Sequence, residues 1–268
     1  SFAKLGIDWK IVMYHKKPPV LSTVFDVYMM MQIAAKLTKE KKIDVVHCRS
    51  YVSSLIGLHL KNKFGLKFIF DMRGFWVDER VEGGIWNISN PVYKVVYNYF
   101  KKKEKQFLES ADHTISLTHK GKEVIHSRKN IKNNPIKISV IPCCADLNHF
   151  NYDAVDALQT DNLRSSLNIN KNDFVLSYLG SIGTWYMLDE MLDFFKLLLT
   201  AKPKSKFLFI SNESQDVIYS KALRKGLNKE NIIVKNSSYA EVPKYLALSH
   251  VSIFFIKPVF SKNASSPT

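Results

Sequence analysis

Short apolar runs rich in β-branched and aromatic residues alternate along the chain with longer segments whose apolar side chains recur every three or four positions. The short runs predict strands at Trp9 to Tyr14, Asp44 to His47, Lys67 to Asp71, His113 to Ser116 and Ile138 to Ile141. A second series follows at Phe174 to Leu179, Lys206 to Ile210, Ile232 to Lys235 and Val251 to Phe255. The periodic segments predict helices beginning near Thr23, Tyr51, Asn90, Lys120, Tyr186, Gln215 and Ala240. Strands this apolar have no wet face, and strands that alternate with helices are what repeated βα units around a parallel sheet require.

From Pro142 to Asp173 the rhythm lapses, and polar residues carry only one weak helical pattern, over Asp156 to Leu167. With 268 residues, more than one core usually organises, this predicts two α/β domains, 1–150 and 174–268, joined by a linker at 151–173. The first strand of the first domain is read as missing. The second domain is read as cut short, because Ser265-Ser266-Pro267-Thr268 stands where a loop would lead into another βα unit.

Composition narrows the class without changing this picture. Hydrophobic residues at 46% and charged residues at 24% exclude a disordered or fibrous chain. Three cysteines, Cys48, Cys143 and Cys144, cannot form an even disulfide framework and point to a reducing compartment. The N-terminus lacks a secretory leader, and the apolar run from Val24 to Ala35, broken by Asp26 and Gln32, is too short and polar to span a bilayer. A cytoplasmic protein is expected. No CxxC, HxxH or Asp-x-Asp spacing suggests a metal.

The net charge of +15 is uneven: residues 1–150 hold 25 basic against 13 acidic side chains, the remainder 14 against 11. The first half either meets something anionic or is simply well solvated. The helix predicted over Asn90 to Leu108 bears Val92, Tyr93, Val96, Tyr97 and Phe100 with lysines at 94, 101, 102, 103 and 105. That pattern suits the anionic inner face of a membrane, and equally an amphipathic helix whose apolar stripe is core. Aromatics interleaved with lysines from Tyr97 to Lys103 also motivate an alternative reading as a basic nucleic-acid-binding protein, unaccompanied by any recognised motif.

Ligands of open parallel sheets sit beyond the carboxyl ends of the strands, so the loops there carry the candidate chemistry. Gly180-Ser181-Ile182-Gly183-Thr184 follows one strand and precedes a helix. Its small residues would let backbone amides and a helix start approach a phosphate, or would merely cap that helix. Asp71-Met72-Arg73-Gly74-Phe75-Trp76-Val77-Asp78-Glu79-Arg80 follows another strand. There Arg73 or Arg80 could offset negative charge, and Asp71, Asp78 or Glu79 could accept from hydroxyls or act as a base; a salt-bridged surface loop is the alternative. His47 and Arg49 end a third strand and could join the same site, although a lone histidine there is more often structural.

Taken together these segments resemble retaining glycosyltransferases of family 4, with the GT-B fold. The resemblance rests on Asp71 to Trp76, on Ala111 to Thr118, and on Val140-Ile141-Pro142-Cys143-Cys144-Ala145-Asp146-Leu147-Asn148-His149-Phe150, which is similar to the family's interdomain "IPNGVD…F" segment. It rests also on Val234 to Pro243 and on the closing Ser265-Ser266-Pro267-Thr268. The resemblance implies two Rossmann-like doubly wound domains facing across a cleft, the second incomplete. It implies transfer of a sugar from a nucleoside diphosphate sugar to an acceptor hydroxyl with retention, in cell-surface polysaccharide or glycolipid synthesis, without metal or other cofactor. A glycan or lipid-linked acceptor is the implied partner, with an anionic membrane surface beside it.

Carried over by residue, the resemblance puts Gly180, Ser181, Gly183 and Thr184 against the donor diphosphate and Lys235, Asn236 and Ser237 near its base. Ser265, Ser266 and Thr268 then begin the donor-sugar motif. Asp71 and Arg73 become the catalytic candidates, with His47, Arg49, Trp76, Asp78, Glu79 and Arg80 on the acceptor side. Arg73 stands where many members carry a histidine, and Trp185-Tyr186-Met187 where a lysine is expected. The family's pair of glutamates would follow Thr268, so nucleotide binding and sugar transfer are expected to separate in this chain. A sugar-nucleotide epimerase of related fold is a further alternative.

Overall fold

The computed structural model describes residues 2–18 and 20–266, which divide into two units: Ser1–Cys143 with Val259–Thr268, and Cys144–Pro258.

In the first unit, α1 (Leu21–Lys41) leads into β1 (Val45–Arg49), α2 (Ser50–Phe64), β2 (Lys67–Asp71), α3 (Trp76–Glu82), α4 (Pro91–Ser110), β3 (His113–Ser116), α5 (His119–His126) and β4 (Ile138–Val140). The four strands form one parallel sheet in the order β1-β2-β3-β4. Phe68 and Phe70 of β2 are fully buried against Phe107 of α4 and Tyr51 of α2. Gly57 lets α2 lie close on this sheet: a Cβ there would come within 2.5 Å of Cys48 Sγ and 2.7 Å of the Phe68 ring. Burial pushes the Cys48 thiol up to about 11. Local chemistry sets the helix ends. Gly65, at φ 74°, closes α2; Asn90 Oδ1 accepts from Val92 N at 2.9 Å with Pro91 opening α4; and Thr118 Oγ1 accepts from Gly121 N at 3.0 Å to start α5.

The second unit holds α6 (Ala157–Ser166), β5 (Phe174–Leu179), α7 (Leu188–Ala201), β6 (Ser205–Ile210), α8 (Gln215–Arg224), β7 (Ile232–Lys235), α9 (Val242–Ala247) and β8 (Val251–Ser252). Its sheet is also parallel, in the order β7-β6-β5-β8. Tyr178, Phe195, Phe207 and Phe209 fill one side, and Leu167, Ile169, Leu208 and Leu248 the other. The chain then returns to the first unit as α10 (Phe260–Asn263), where Phe260 packs on Phe75 and Ser261 N donates to Glu82 at 2.9 Å.

Several sequence expectations need correction. Trp9 to Tyr14 lies in no strand among the described residues, and Ile11 and Met13 are about four-fifths exposed; apolar character alone does not make a strand where no neighbour offers a ladder. The expected strand Val251 to Phe255 pairs only over Val251–Ser252. Within the segment 151–173 the helical pattern expected over Asp156 to Leu167 is α6, and Leu163, Leu167 and Ile169 enter the second unit's core. The charged loop expected to run to Arg80 ends at Phe75, and Trp76–Glu82 is helix. Asp78 and Glu79 occupy its first turn, where carboxylates suit the helix dipole. On α4, Val96, Tyr97 and Phe100 pack into the core, so the outward apolar residues are Val92, Val95 and Tyr99, joined by Ile85 and Ile88 of the preceding loop. Thr268 lies outside the described residues.

Candidate functional site

At the carboxyl edge of the first sheet, β1 and β2 run side by side with Arg49 opposite Asp71. His47 Nε2 approaches Asp71 Oδ2 to 3.5 Å. The histidine side chain is 54% exposed and the carboxylate 14%. Asp71 Oδ1 is buried without a hydrogen-bond partner among the described residues. A buried acceptor left unmade costs about 1–3 kcal/mol, so this oxygen is poised for a donor such as a hydroxyl.

The chain then turns through two consecutive left-handed residues, Arg73 at φ 60° and Gly74 at φ 115°. Left-handed arginine is a strained choice that surrounding contacts must hold in place. Two are visible. Arg73 Nη2 lies 3.5 Å from Cys143 Sγ, and the Tyr51 hydroxyl lies 3.4 Å from the Gly74 carbonyl while donating to buried Glu104. Glu104 also receives Lys101 at 3.2 Å and Arg128. Burial, and then the Glu104 charge, hold the Tyr51 phenol well above its ordinary pKa, so it remains a donor.

The other residues expected on the acceptor side sit on α3, within the packing of the first unit. Asp78 accepts from Lys101 at 2.9 Å and from the Tyr97 hydroxyl at 3.0 Å. Desolvation, then that carboxylate, push the Tyr97 phenol up to about 12. Glu79 pairs with Lys262 at 2.5 Å, and Arg80 lies over the Trp76 ring at 5.2 Å. Trp76 packs against Tyr51, Trp86 and Phe100. Ser265 and Ser266 belong to this unit as well. Ser265 Oγ donates to the Lys262 carbonyl at 2.8 Å, at the end of α10, and the Thr118 hydroxyl donates to the neighbouring Ala264 carbonyl at 2.8 Å.

In the second unit the carboxyl ends of β5, β6 and β7 enclose a cavity of about 200 Å³. Gly180, Ser181 and Ser237 line it, whereas Gly183 and Thr184, further along the first loop, and Lys235 and Asn236, just before Ser237, are not wall residues. Gly180 adopts φ 142° and Gly183 φ 116°. A Cβ at Gly180 would meet the Tyr178 hydroxyl at 3.2 Å, and that hydroxyl is fixed by donating to the Ser181 carbonyl at 2.6 Å. Glycine is therefore what this turn requires. Lys235 ends β7, its carbonyl accepting from Ser211 N at 2.9 Å. Sequence reading missed Ser211, Asn212 and Glu213, the loop after β6 that completes the wall; its position after a central strand is the signal that could have found it. Among the described residues no group of three or more His, Cys, Asp or Glu side chains is gathered as a metal site.

Similar solved structures share this architecture. A glycosyltransferase from Rickettsia africae ESF-5 aligns with TM-score 0.63 at 15% identity, over 94% of this chain and 60% of that one. An α,α-trehalose 6-phosphate synthase from Burkholderia multivorans aligns with TM-score 0.61 at 13% identity, over 89% of this chain and 56% of that one. WaaG, a glycosyltransferase involved in lipopolysaccharide biosynthesis, gives 0.54 at 11% identity, over 77% of this chain and 57% of that one. The chain thus spans about 60% of the length of the first of these structures. The fold is of the GT-B class, with Rossmann-like α/β units built on parallel sheets. The sequence model of glycosyltransferase family 4 matches residues 8–149, more than half of the chain, and the protein belongs to that family. No curated protein sequence matches it significantly.

Proposed function

We propose that the protein acts as a retaining glycosyltransferase, moving a sugar from a nucleoside diphosphate sugar to the hydroxyl of a glycan or lipid-linked acceptor in cell-surface polysaccharide or glycolipid synthesis. The observation that carries this reading is the cavity at the ends of β5, β6 and β7, lined by Gly180, Ser181 and Ser237 in a family 4 chain. Backbone amides of the loop Gly180, Ser181, Gly183 and Thr184 would face the diphosphate, and Lys235, Asn236 and Ser237 the base. Ser265, Ser266 and Thr268 are assigned to the donor sugar. Departure of the diphosphate develops charge at the anomeric carbon and the leaving oxygens, so donors fixed beforehand lower the barrier. In the first unit, the unpartnered Asp71 oxygen would accept from the acceptor hydroxyl, Arg73 would offset negative charge, and His47 would orient Asp71. Arg49, Trp76, Asp78, Glu79 and Arg80 would shape the acceptor side. The reading invokes no metal or further cofactor.

No helix among the described residues is long and apolar enough to cross a membrane. Exposed Ile85, Ile88, Val92, Val95 and Tyr99, with Lys94 and Lys102 beside them, support peripheral attachment to an anionic inner membrane face of a cytoplasmic protein. Vesicles rich in anionic lipid should retain the protein at low salt and release it at high salt; no retention ends that part of the reading.

The catalytic proposal is tested by incubating the protein, and a version extended past Thr268, with a panel of nucleoside diphosphate sugars and membrane glycolipid extract, and following the anomeric signal by NMR. Release of nucleoside diphosphate with an axial-to-axial or equatorial-to-equatorial product is expected of the extended version, and nucleotide binding without transfer of the 268-residue chain. Inverted product refutes retention, and isomerisation of a sugar nucleotide supplied alone identifies an epimerase instead.

A further inference from the structure

We infer that Cys143 is a thiol-modification site, which a small anionic disulfide converts to a mixed disulfide, and that the adduct switches off Arg73; the second half of the inference rests on the reading of Arg73 as part of the transfer site. Two consecutive cysteines, Cys143 and Cys144, stand where the first unit's main run ends and the second unit begins. Cys143 is half-buried and Cys144 exposed. The Arg73 guanidinium donates to Cys143 Sγ at 3.5 Å and, among the described residues, makes no ion pair. Its positive charge is therefore uncancelled beside the sulfur, and electropositive, partly exposed surroundings are where cysteines react. Cys48 is the internal contrast. It is buried against Gly57 and Phe68, and that burial pushes its thiol up to about 11.

The step is a thiol–disulfide exchange. The Cys143 sulfur, as thiolate, attacks one sulfur of the reagent; a new S–S bond forms, the reagent's own S–S bond breaks, and its second half leaves as a thiolate with the bonding pair. Cys143 gives its proton to water and is oxidised, the disulfide is reduced, and no further reactant enters. An anionic reagent is drawn to the sulfur by the guanidinium beside it. The neighbouring thiol does not displace the adduct. The Cys143–Cys144 peptide is trans and holds its Cα atoms about 3.8 Å apart, short of the roughly 4.4–6.8 Å that an unstrained disulfide spans. The mixed disulfide therefore lasts until a reducing thiol removes it, the transient form that disulfides take in a reducing compartment. Arg73 meets the adduct directly. At φ 60° it is a strained residue, the modified sulfur is its contact, and carboxylates carried by the adduct pair with the guanidinium. The charge that would serve sugar transfer is then already met.

Incubation of the protein with glutathione disulfide, followed by peptide mass mapping, should place a glutathionyl group on Cys143 and none on Cys48. Rates are read in a Cys144→Ser background, from the thiol released by dianionic 5,5′-dithiobis(2-nitrobenzoate) or by uncharged 4,4′-dithiodipyridine. Arg73→Gln should slow the dianionic reagent at Cys143 about fivefold or more and leave the uncharged one within about twofold. Arg73→Lys, which keeps the charge, should hold the dianionic rate within about threefold, and salt at about 0.5 M, which screens the guanidinium in the unaltered fold, should slow the dianionic reagent alone. Rates that ignore both Arg73→Gln and salt, or an adduct on Cys144 in place of Cys143, overturn the site. In the version extended past Thr268, the adduct should cut sugar transfer about tenfold or more, with return on dithiothreitol treatment, and Cys143→Ser should keep its own rate in the presence of the disulfide. Transfer undiminished with Cys143 fully modified overturns the switch. Absence of transfer by the reduced extended protein removes the glycosyltransferase reading and the switch with it, and leaves the modification site to be decided by the exchange rates.

Discussion

Gly180 adopts φ 142°, and a methyl group placed on it would meet the Tyr178 hydroxyl at 3.2 Å. Tyr178 is fully buried and its hydroxyl donates to the Ser181 carbonyl at 2.6 Å, so it cannot retreat without breaking that bond. Gly180→Ala therefore meets about 1–3 kcal/mol of backbone strain, and about 1 kcal/mol more if the Tyr178 bond is lost. If the turn refits to relieve this, the amides leave the cavity wall and nucleotide affinity falls. A loss of about 2–4 kcal/mol corresponds to roughly 30- to 700-fold in Kd. Gly226→Ala is the control. It stands at φ 77° behind α8, with only the end of Lys196 within 4 Å, and it does not line the cavity. Both variants should lower the unfolding temperature, Gly226→Ala by a few degrees and Gly180→Ala by at least as much, but only Gly180→Ala should weaken nucleoside diphosphate binding in calorimetry. Unaltered affinity and stability in Gly180→Ala would refute the assignment of this turn to the donor.

Asp71→Asn, made in the version extended past Thr268, should cut sugar transfer by about 100-fold or more if the unpartnered Oδ1 serves the acceptor hydroxyl, while stability stays about level because the ion pair lost is the 3.5 Å approach of a half-exposed His47 to Oδ2; a parallel fall in urea midpoint would instead mark Asp71 as structural. Glu104→Leu leaves Arg128 and Lys101 short of a partner inside the first unit and should cost about 3 kcal/mol in urea unfolding, against about 1 kcal/mol for Tyr51→Phe; equal midpoints for Glu104→Leu and the unaltered protein would contradict the network. For Asp112, burial raises the carboxyl, but Lys61 at 2.5 Å and Phe68 N at 2.8 Å more than offset it and hold the group at about 2, below its value of 3.8 in an unfolded chain. A depressed carboxylate stabilises above its unfolded pKa, and that contribution is lost as pH falls from about 4 to about 2. The side chain is partly exposed, so screening reduces the contribution to about 1 kcal/mol. Asp112→Asn should lower stability by that amount at pH 7 and not at pH 2, as read by urea midpoints.

Where the signal was local, the sequence was sufficient. Lys67-Phe68-Ile69-Phe70-Asp71 reads as a buried strand because every other side chain is a large apolar one, and the register with β1 and β3 follows from that burial. The turn at Gly180 was legible for the same reason, since two glycines after an apolar strand mark a turn whose positive-φ backbone other residues adopt only with strain. Trp9 to Tyr14 has the same apolar character, but strand formation depends on a neighbouring edge, which a single segment cannot encode.

The charged residues show the sharper limit. Glu104 stands in Lys101-Lys102-Lys103-Glu104-Lys105, which reads as a solvated face, yet its side chain is 1% exposed and joins Tyr51 and Arg128, 53 and 24 residues away. Asp78 and Glu79 looked like chemistry and are tied to Lys101 and Lys262. Glu213 is a single carboxylate in a polar loop, and only the strand order sets it in the wall of the cavity beside the Gly180 turn. In each case the deciding quantity is whether another charge or a hydrogen-bond donor comes within reach across the sheet. A carboxylate already met, like Asp78, is held in place by its partners; an oxygen left unpaired at the end of a strand, like the Oδ1 of Asp71, is where an incoming hydroxyl gains most.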